Sequence, residues 1–411
     1  MKLRTAILAV LCLATSWYYA ISLSSTGGVA LKPGAVNDFF QVWNASRAIL
    51  HHANPYGPEV TYQNQIAAYG APPKAFGIKD DRRTPYPVPA TFPLLLLGFL
   101  DFRAADKIAL WLLVALTVLS VGWLRGRWDR TTVLYCALTF SSYPVIYGLQ
   151  ARQPTLLFFG LAVGSFALLR SGRLIPAAML AALSAGKPQI ALPVLLPMLI
   201  WTLARWHERK RFAIAFATSL LALLVISSIV SPGWMPEWLD SLRDYSQYHD
   251  PSIAGSFFGN KLGLAVSGVL LFALAATLWL YRECDLLFQM AVSVAIFCLI
   301  IPSEIYNAAI LLTPAVWVAD NAHRIKECGA VNQLALAVVR VAFIELWLGN
   351  AVGALLLHTT PLGKSIAWRL CVDMVFPVLG SLVAVMIVQC LTLYRAQQRT
   401  AAPTPLRVQA N

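Results

Sequence analysis

Long apolar runs separated by short basic clusters decide what this chain can fold into. The runs lie at about 5–23, 107–124, 131–149, 155–169, 174–204, 212–230, 262–281, 286–301, 305–318, 334–357 and 366–394. A helix that crosses a membrane needs about 20 predominantly apolar residues. The run at 174–204 is interrupted by Gly186-Lys187-Pro188 and flanked by basic residues at both ends, so it reads as two short helices with Lys187 at their turn. The total is then about twelve spans. The basic residues sit between runs, at Lys2/Arg4, Arg125/Arg127/Arg130, Arg170/Arg173, Arg205/Arg209/Lys210/Arg211, Arg324/Lys326 and Arg395/Arg399. Cytoplasmic loops carry that bias. The prediction is an all-α polytopic protein of a bacterial-type plasma (inner) membrane, with both termini cytoplasmic. Asn44 and Ser252 then lie outside, and Arg127, Arg209 and Lys326 inside.

Composition narrows the function. Of the 411 residues 58% are hydrophobic and 12% charged, about half the charged share of a soluble domain. So few charges cannot cover an aqueous surface, which excludes an ordinary soluble enzyme. The net charge of +13 is dispersed over the connections and forms no stripe for nucleic acid. The seven cysteines show no CxxC or Cys/His spacing, and none falls in a long polar loop. Neither a disulfide framework nor a zinc site is expected. No Walker, Rossmann, GxSxG or HExxH pattern occurs, so a nucleotide-driven mechanism has no support.

Two polar stretches stand out. Residues 24–104 read as a first extracytoplasmic loop, rich in Pro, Gly, Asn and Tyr, with an amphipathic stretch at Asp38–Leu50. Within it Thr91–Leu100 is apolar but too short to cross, as a re-entrant or interfacial segment would be. Residues 231–261 form a second extracytoplasmic loop. The whole of 1–395 reads as one membrane domain, and 396–411 as a disordered cytoplasmic tail.

The candidates for chemistry are polar residues that this topology gathers on the outer face. Asn37-Asp38-Phe39-Phe40 precedes Trp43 and Asn44. If the stretch is helical, Asp38 is its N-cap; a carboxylate at the membrane boundary also has the chemistry of a general base. Arg82 and Arg83, Arg152 with Gln153, and Lys187 stand on other outer turns. Each alone fits a snorkelling side chain, whereas together the cations can cradle a phosphate or pyrophosphate. Pro302-Ser303-Glu304-Ile305-Tyr306-Asn307 breaks two spans, either as a plain turn or as part of that site. The break at Lys187 also fits a secondary transporter of an anionic or lipid-linked substrate. Against it, the polar residues gather on one face and the halves show no repeat.

Taken in order, these stretches resemble glycosyltransferase family 87. DFFQVWNASRAILHHANPY has that family's Asp, an aromatic four to five residues on, and a closing Asn54-Pro55-Tyr56. TPYPVPATFPLLLLGFL is similar to its approach to a short apolar segment. QARQPTLLFFGLAVGSFALLRSGRLIPAAMLAALSAGKPQIALPVL is similar to its turn, basic loop and Lys-Pro segment, and IPSEIYNAAILLTP to its late polar turn. Together these cover most of residues 5–320. The resemblance, which extends to polyprenol-phosphate-mannose-dependent mannosyltransferases, implies a GT-C-like fold, a polyprenyl-phosphate sugar donor and a catalytic Asp at Asp38. With a lipid or glycan acceptor, Arg82, Arg83, Arg152, Gln153 and Lys187 would hold the donor phosphate. Asn37, Trp43, Tyr306 and Asn307 would meet the sugar or acceptor, with no metal and no other cofactor. The chain departs from the pattern twice. Tyr306 and Asn307 stand where the mannosyltransferases often carry His, and Arg152 precedes Gln153 where the family has Gly.

Overall fold

The computed structural model describes residues 36–70, 81–246, 252–301 and 304–327, with scattered positions between 330 and 340. The predicted spans at 5–23 and 366–394, nearly all of the one at 334–357, and the tail at 396–411 lie outside the described residues. Among the described residues every regular element is helical.

The described residues of the first predicted loop are mostly helical. α1 (Phe39–Leu50) is followed by α2 (Pro58–Tyr69). Pro58 opens α2 and Gly70, at φ 79°, closes it, the usual asymmetry of the two residues at helix ends. α3 (Val88–Thr91) runs directly into a 3-10 helix at Phe92–Phe99. The apolar segment predicted as re-entrant or interfacial is a short, tight helix, and it packs along α1.

α4 (Phe102–Arg125) begins earlier than the predicted span because Asp101 caps it, accepting from the N–H groups of Arg103 and Ala104. The continuous span predicted at 131–149 is instead two helices, α5 (Arg130–Ser141) and α6 (Tyr143–Gln150), bent by 66°. Ser142 is extended at ψ 141° and Pro144 sits in the first turn of α6. Proline has no N–H to carry the helical ladder through. α7 (Pro154–Arg170), α8 (Leu174–Ser184) and α9 (Pro188–Ala204) follow. α8 and α9 part where the sequence predicts, since the residue before a proline is pushed out of the helical region and Lys187 sits at φ −125°, ψ 83°.

α10 (Trp206–Val230) leads to α11 (Trp234–Ser246) and α12 (Ile253–Phe258), so the second predicted loop also holds helix. The chain then continues through α13 (Asn260–Leu280), α14 (Leu286–Ile300), a 3-10 helix at Ile305–Leu311 and α15 (Leu312–Glu327). Three of the described helices are long and apolar enough to cross a membrane: α4, α10 and residues 261–280 of α13. They become four if α5 and α6 form one bent span. The chain is a helical membrane protein.

Two larger cores and a smaller cluster of Ile49, Tyr56, Val88 and Trp234 organise the described residues. Phe158, Phe166, Met198 and Met290 join α7, α9 and α14. Phe39, Val42, Leu94, Ala109, Leu113, Ile146 and Leu156 tie α1 and the Phe92–Phe99 helix to α4, α6 and α7. The second core fixes the backbone on which the polar residues stand.

Candidate active site

Asp38 directly precedes α1, yet its side chain makes no capping bond. Asn37 takes that role: its Oδ1 accepts from the Phe39 N–H at 3.2 Å and its carbonyl from the Phe40 N–H at 3.1 Å. The expectation that Asp38 caps the helix is therefore replaced, and its carboxylate is left to tertiary partners. Oδ2 accepts from Gln153 Nε2, and Oδ1 lies 3.4 Å from Arg82 Nη1. The Asp38 N–H donates to the Ala151 carbonyl at 3.1 Å, which joins the start of α1 to the turn between α6 and α7. The carboxylate keeps 31% of its surface exposed, enough to meet a substrate.

Arg82 and Arg152 both have φ 51°, a left-handed conformation that few non-glycine residues adopt. At Arg152 this closes α6. The Gln153 N–H reaches the Gly148 carbonyl at 2.7 Å and the Arg152 N–H the Leu149 carbonyl at 3.2 Å, a helix ending most often built on glycine. The Arg152 guanidinium folds back on the helix it ends. Nη1 donates to the carbonyls of Leu149 (2.8 Å) and Gln150 (3.2 Å), and Nη2 lies 3.3 Å from Asp106 Oδ2. Arg82 is oriented by Tyr69, with Nε 3.1 Å from the hydroxyl oxygen, and its carbonyl accepts from Gln41 and Asn64.

A second polar group lies beside the first. Lys187, in the turn between α8 and α9, is buried, and its Nζ donates to Thr155 Oγ1 at 2.6 Å. Thr155 in turn donates to Asn307 Oδ1 at 2.7 Å. The Tyr86 and Tyr306 rings lie 5.8 and 5.1 Å from Nζ, within the range of cation–π attraction, and Tyr147 stacks on Tyr306. Burial pulls the Lys187 ammonium down to about 7, against the pull of the Asp38 and Glu304 charges. Burial, and then the Asp38 charge, push the Tyr86 hydroxyl well above its ordinary value. Asp38, Tyr86 and Lys187 thus share one electrostatic neighbourhood.

Of the residues singled out in the sequence, the structure brings Asn37, Asp38, Arg82, Arg152, Gln153, Lys187, Tyr306 and Asn307 to this end of the bundle. Two have other partners. Trp43 is only 7% exposed, packs against Phe40 and Phe102, and donates from Nε1 to the Leu100 carbonyl. A ring so enclosed anchors α1 and offers no face to a sugar. Arg83 turns to Asp244 on α11. Arg152 is present but its role changes: at 2% exposure, with Asp106 and two carbonyls as partners, it braces the turn rather than facing a ligand. The sequence reading missed Asp106, Tyr86 and Thr155. Asp106 carried a usable signal, a carboxylate beside the first apolar turns of a span, whereas Tyr86 and Thr155 had none beyond their proximity to Arg82 and Gln153.

A family model described as "Glycosyltransferase family 87" matches residues 84–302, more than half of the chain. The match takes in Tyr86, Asp106, Arg152, Gln153, Thr155 and Lys187, and begins after Asp38 and Arg82. The comparison with curated proteins found no match. With helices that fit a membrane enzyme and a polar site at one end of its bundle, the chain belongs to glycosyltransferase family 87.

Proposed function

We propose that this glycosyltransferase moves a mannose-like hexose from a polyprenyl-phosphate donor to a lipid or glycan acceptor at the extracytoplasmic face of the membrane. The wider reading is a GT-C-like architecture of about twelve spans, with both termini inside. The observation that carries it is a part-exposed carboxylate and a buried ammonium, Asp38 and Lys187, in one electrostatic neighbourhood at one end of the bundle. A polyprenyl-phosphate sugar presents its anomeric carbon just above the bilayer, so both groups must stand there.

In an inverting displacement Asp38 takes the proton of the acceptor hydroxyl. The acceptor oxygen bonds to the anomeric carbon while the bond from that carbon to the phosphate oxygen breaks. The electron pair leaves with the polyprenyl phosphate, and Arg82 and Lys187 stabilise the charge that develops there. An ammonium has three N–H donors; Lys187 gives one to Thr155, and the phosphate oxygens take the others. Gln153 Oε1 is buried and has no hydrogen-bond partner among the described residues. An unpaired buried acceptor costs about 1–3 kcal/mol, and a sugar or acceptor hydroxyl would satisfy it. The transporter reading finds no support in the family match.

The test is Asp38→Asn, assayed with radiolabelled polyprenyl-phosphate mannose and membranes that hold the full-length protein. A lost general base lowers turnover by about 10²-fold or more, with folded protein unchanged because the carboxylate is part-exposed. Near-wild-type turnover would remove Asp38 from the chemistry.

A further inference from the structure

Asp106 is a carboxylate on the second turn of α4, 9% exposed, and both of its oxygens are engaged. Oδ1 accepts from Asn37 Nδ2 at 2.6 Å and Oδ2 lies 3.3 Å from Arg152 Nη2. Asn37 precedes Asp38 and Arg152 precedes Gln153. The two residues that Asp106 holds are thus the chain neighbours of the two whose side chains meet. The backbone repeats the connection, since the Asp38 N–H donates to Ala151 O at 3.1 Å.

Arg152 gives this contact a purpose beyond packing. Its left-handed φ of 51° is unfavourable for a side chain bearing a Cβ, and the guanidinium's bonds to Leu149, Gln150 and Asp106 hold the turn in that conformation. Without the Asp106 charge, a buried cation beside Asp38 would lose its ionic partner. Gln153 Nε2 would then no longer be aimed by a fixed turn.

We propose that Asp106 is a positioning residue for Asp38, its two oxygens fixing the start of α1 and the α6–α7 turn so that Gln153 holds the Asp38 carboxylate towards the acceptor. The proposal rests on the reading of Asp38 as the general base. It requires no contact between Asp106 and substrate.

The experiment compares Asp106→Asn, Arg152→Lys and Asp38→Asn in membranes, with radiolabelled polyprenyl-phosphate mannose as probe and turnover expressed per folded protein. In Asp106→Asn turnover should fall by about tenfold to a hundredfold, as misplacement of a catalytic group by about an ångström does. The donor concentration for half-maximal rate should stay within about twofold, because Lys187 and Thr155 are untouched. Arg152→Lys, which keeps the charge but not the forked donors, should show a smaller loss of turnover, and it carries the test if Asp106→Asn does not fold. An unchanged turnover per folded molecule would overturn the positioning role. Asp38→Asn separates the failures. Turnover kept there removes the base and the positioning role together; turnover lost there but kept in Asp106→Asn removes only the second.

Discussion

Lys187 is the residue whose behaviour the structure constrains most. Its ammonium is enclosed by Tyr86, Tyr306 and Thr155, with Asp38 and Glu304 near enough to favour its charged form. Even so, burial brings it down to about 7. The charged form predominates below that value and is lost as pH rises through it, and only the charged form attracts a phosphate. The sugar phosphodiester does not itself titrate near neutrality. If the charged form alone binds donor, kcat/KM for polyprenyl-phosphate mannose falls about tenfold between pH 6 and pH 8. Lys187→Arg should flatten that dependence, because guanidinium stays charged throughout. Lys187→Met should raise the half-saturating donor concentration about tenfold or more, the worth of a hydrogen bond to a charged group. A pH profile of kcat/KM that is the same in wild type and Lys187→Arg would remove Lys187 from the phosphate. Lys187 stands out in the sequence because a charge set in apolar surroundings needs a reason, whereas Asp38, in a polar loop, stands out through the family resemblance of the stretch it opens. Trp43 was misread for a related cause: spacing places it near Asp38 along the chain but does not say which way its ring turns. Asp106 and Arg152 meet only through the packing of α4 against α6 and α7, and no local pattern encodes that.

Among elements, the breaks decide where the site lies. The parting of α8 and α9 was legible because Gly186 and Pro188 bracket Lys187. The bend between α5 and α6 was not, since Ser141-Ser142-Tyr143-Pro144 sits inside an uncharged run from Thr131 to Leu149 that is long enough to read as one span. Gly186 has a particular task. A Cβ there would stand 2.9 Å from the Ala90 Cα and from Phe158 Cε1, so the Lys187 turn seats on α3 only if position 186 carries no side chain. Ala90 is backbone and cannot yield cheaply. Gly186→Ala should lower stability in detergent by about 1–3 kcal/mol, the cost of overpacking, and reduce turnover because the turn that holds Lys187 moves. Gly268→Ala is the control: on α13 a Cβ meets nothing within 4 Å, and glycine inside a helix costs about 0.5–1 kcal/mol relative to alanine. The two substitutions should move the thermal midpoint in opposite directions. A Gly186→Ala protein as stable as Gly268→Ala would show that the turn does not depend on that close approach.

Over the whole molecule, α4 measures the distance between two unlike ends. Asp106 lies near its start and Arg125 at its end, about 28 Å apart at 1.5 Å per residue, close to the hydrocarbon thickness of a bilayer. The Arg125 end is an ionic cluster. Arg125 and Arg127 pair with Asp129 and reach Asp320 on α15, and Arg125 together with the Thr132 backbone N–H holds the Asp129 carboxyl well below the usual carboxylate range. Arg205, between α9 and α10, meets Glu283 in the α13–α14 turn at 2.8 Å. Two of the basic clusters that the sequence assigns to the cytoplasm thus pair with carboxylates on other elements, and the Asp38 group stands at the other end of α4 from Arg125. If the positive-inside bias holds, that group faces outward, where a lipid-linked donor meets an acceptor beyond the membrane. Single cysteines in a variant without its native ones would decide the orientation. Position 59 on α2 and position 243 on α11 are exposed and should react in intact cells with a membrane-impermeant maleimide, whereas Asn44, buried at 4%, is a poor choice despite its predicted side. Lys210→Cys and Lys326→Cys, also exposed, should react only after the membrane is opened. Labelling at 210 in intact cells, or its absence at 59 and 243, would turn the molecule over, place Asp38 on the cytoplasmic side and end the case for an extracytoplasmic lipid-linked donor.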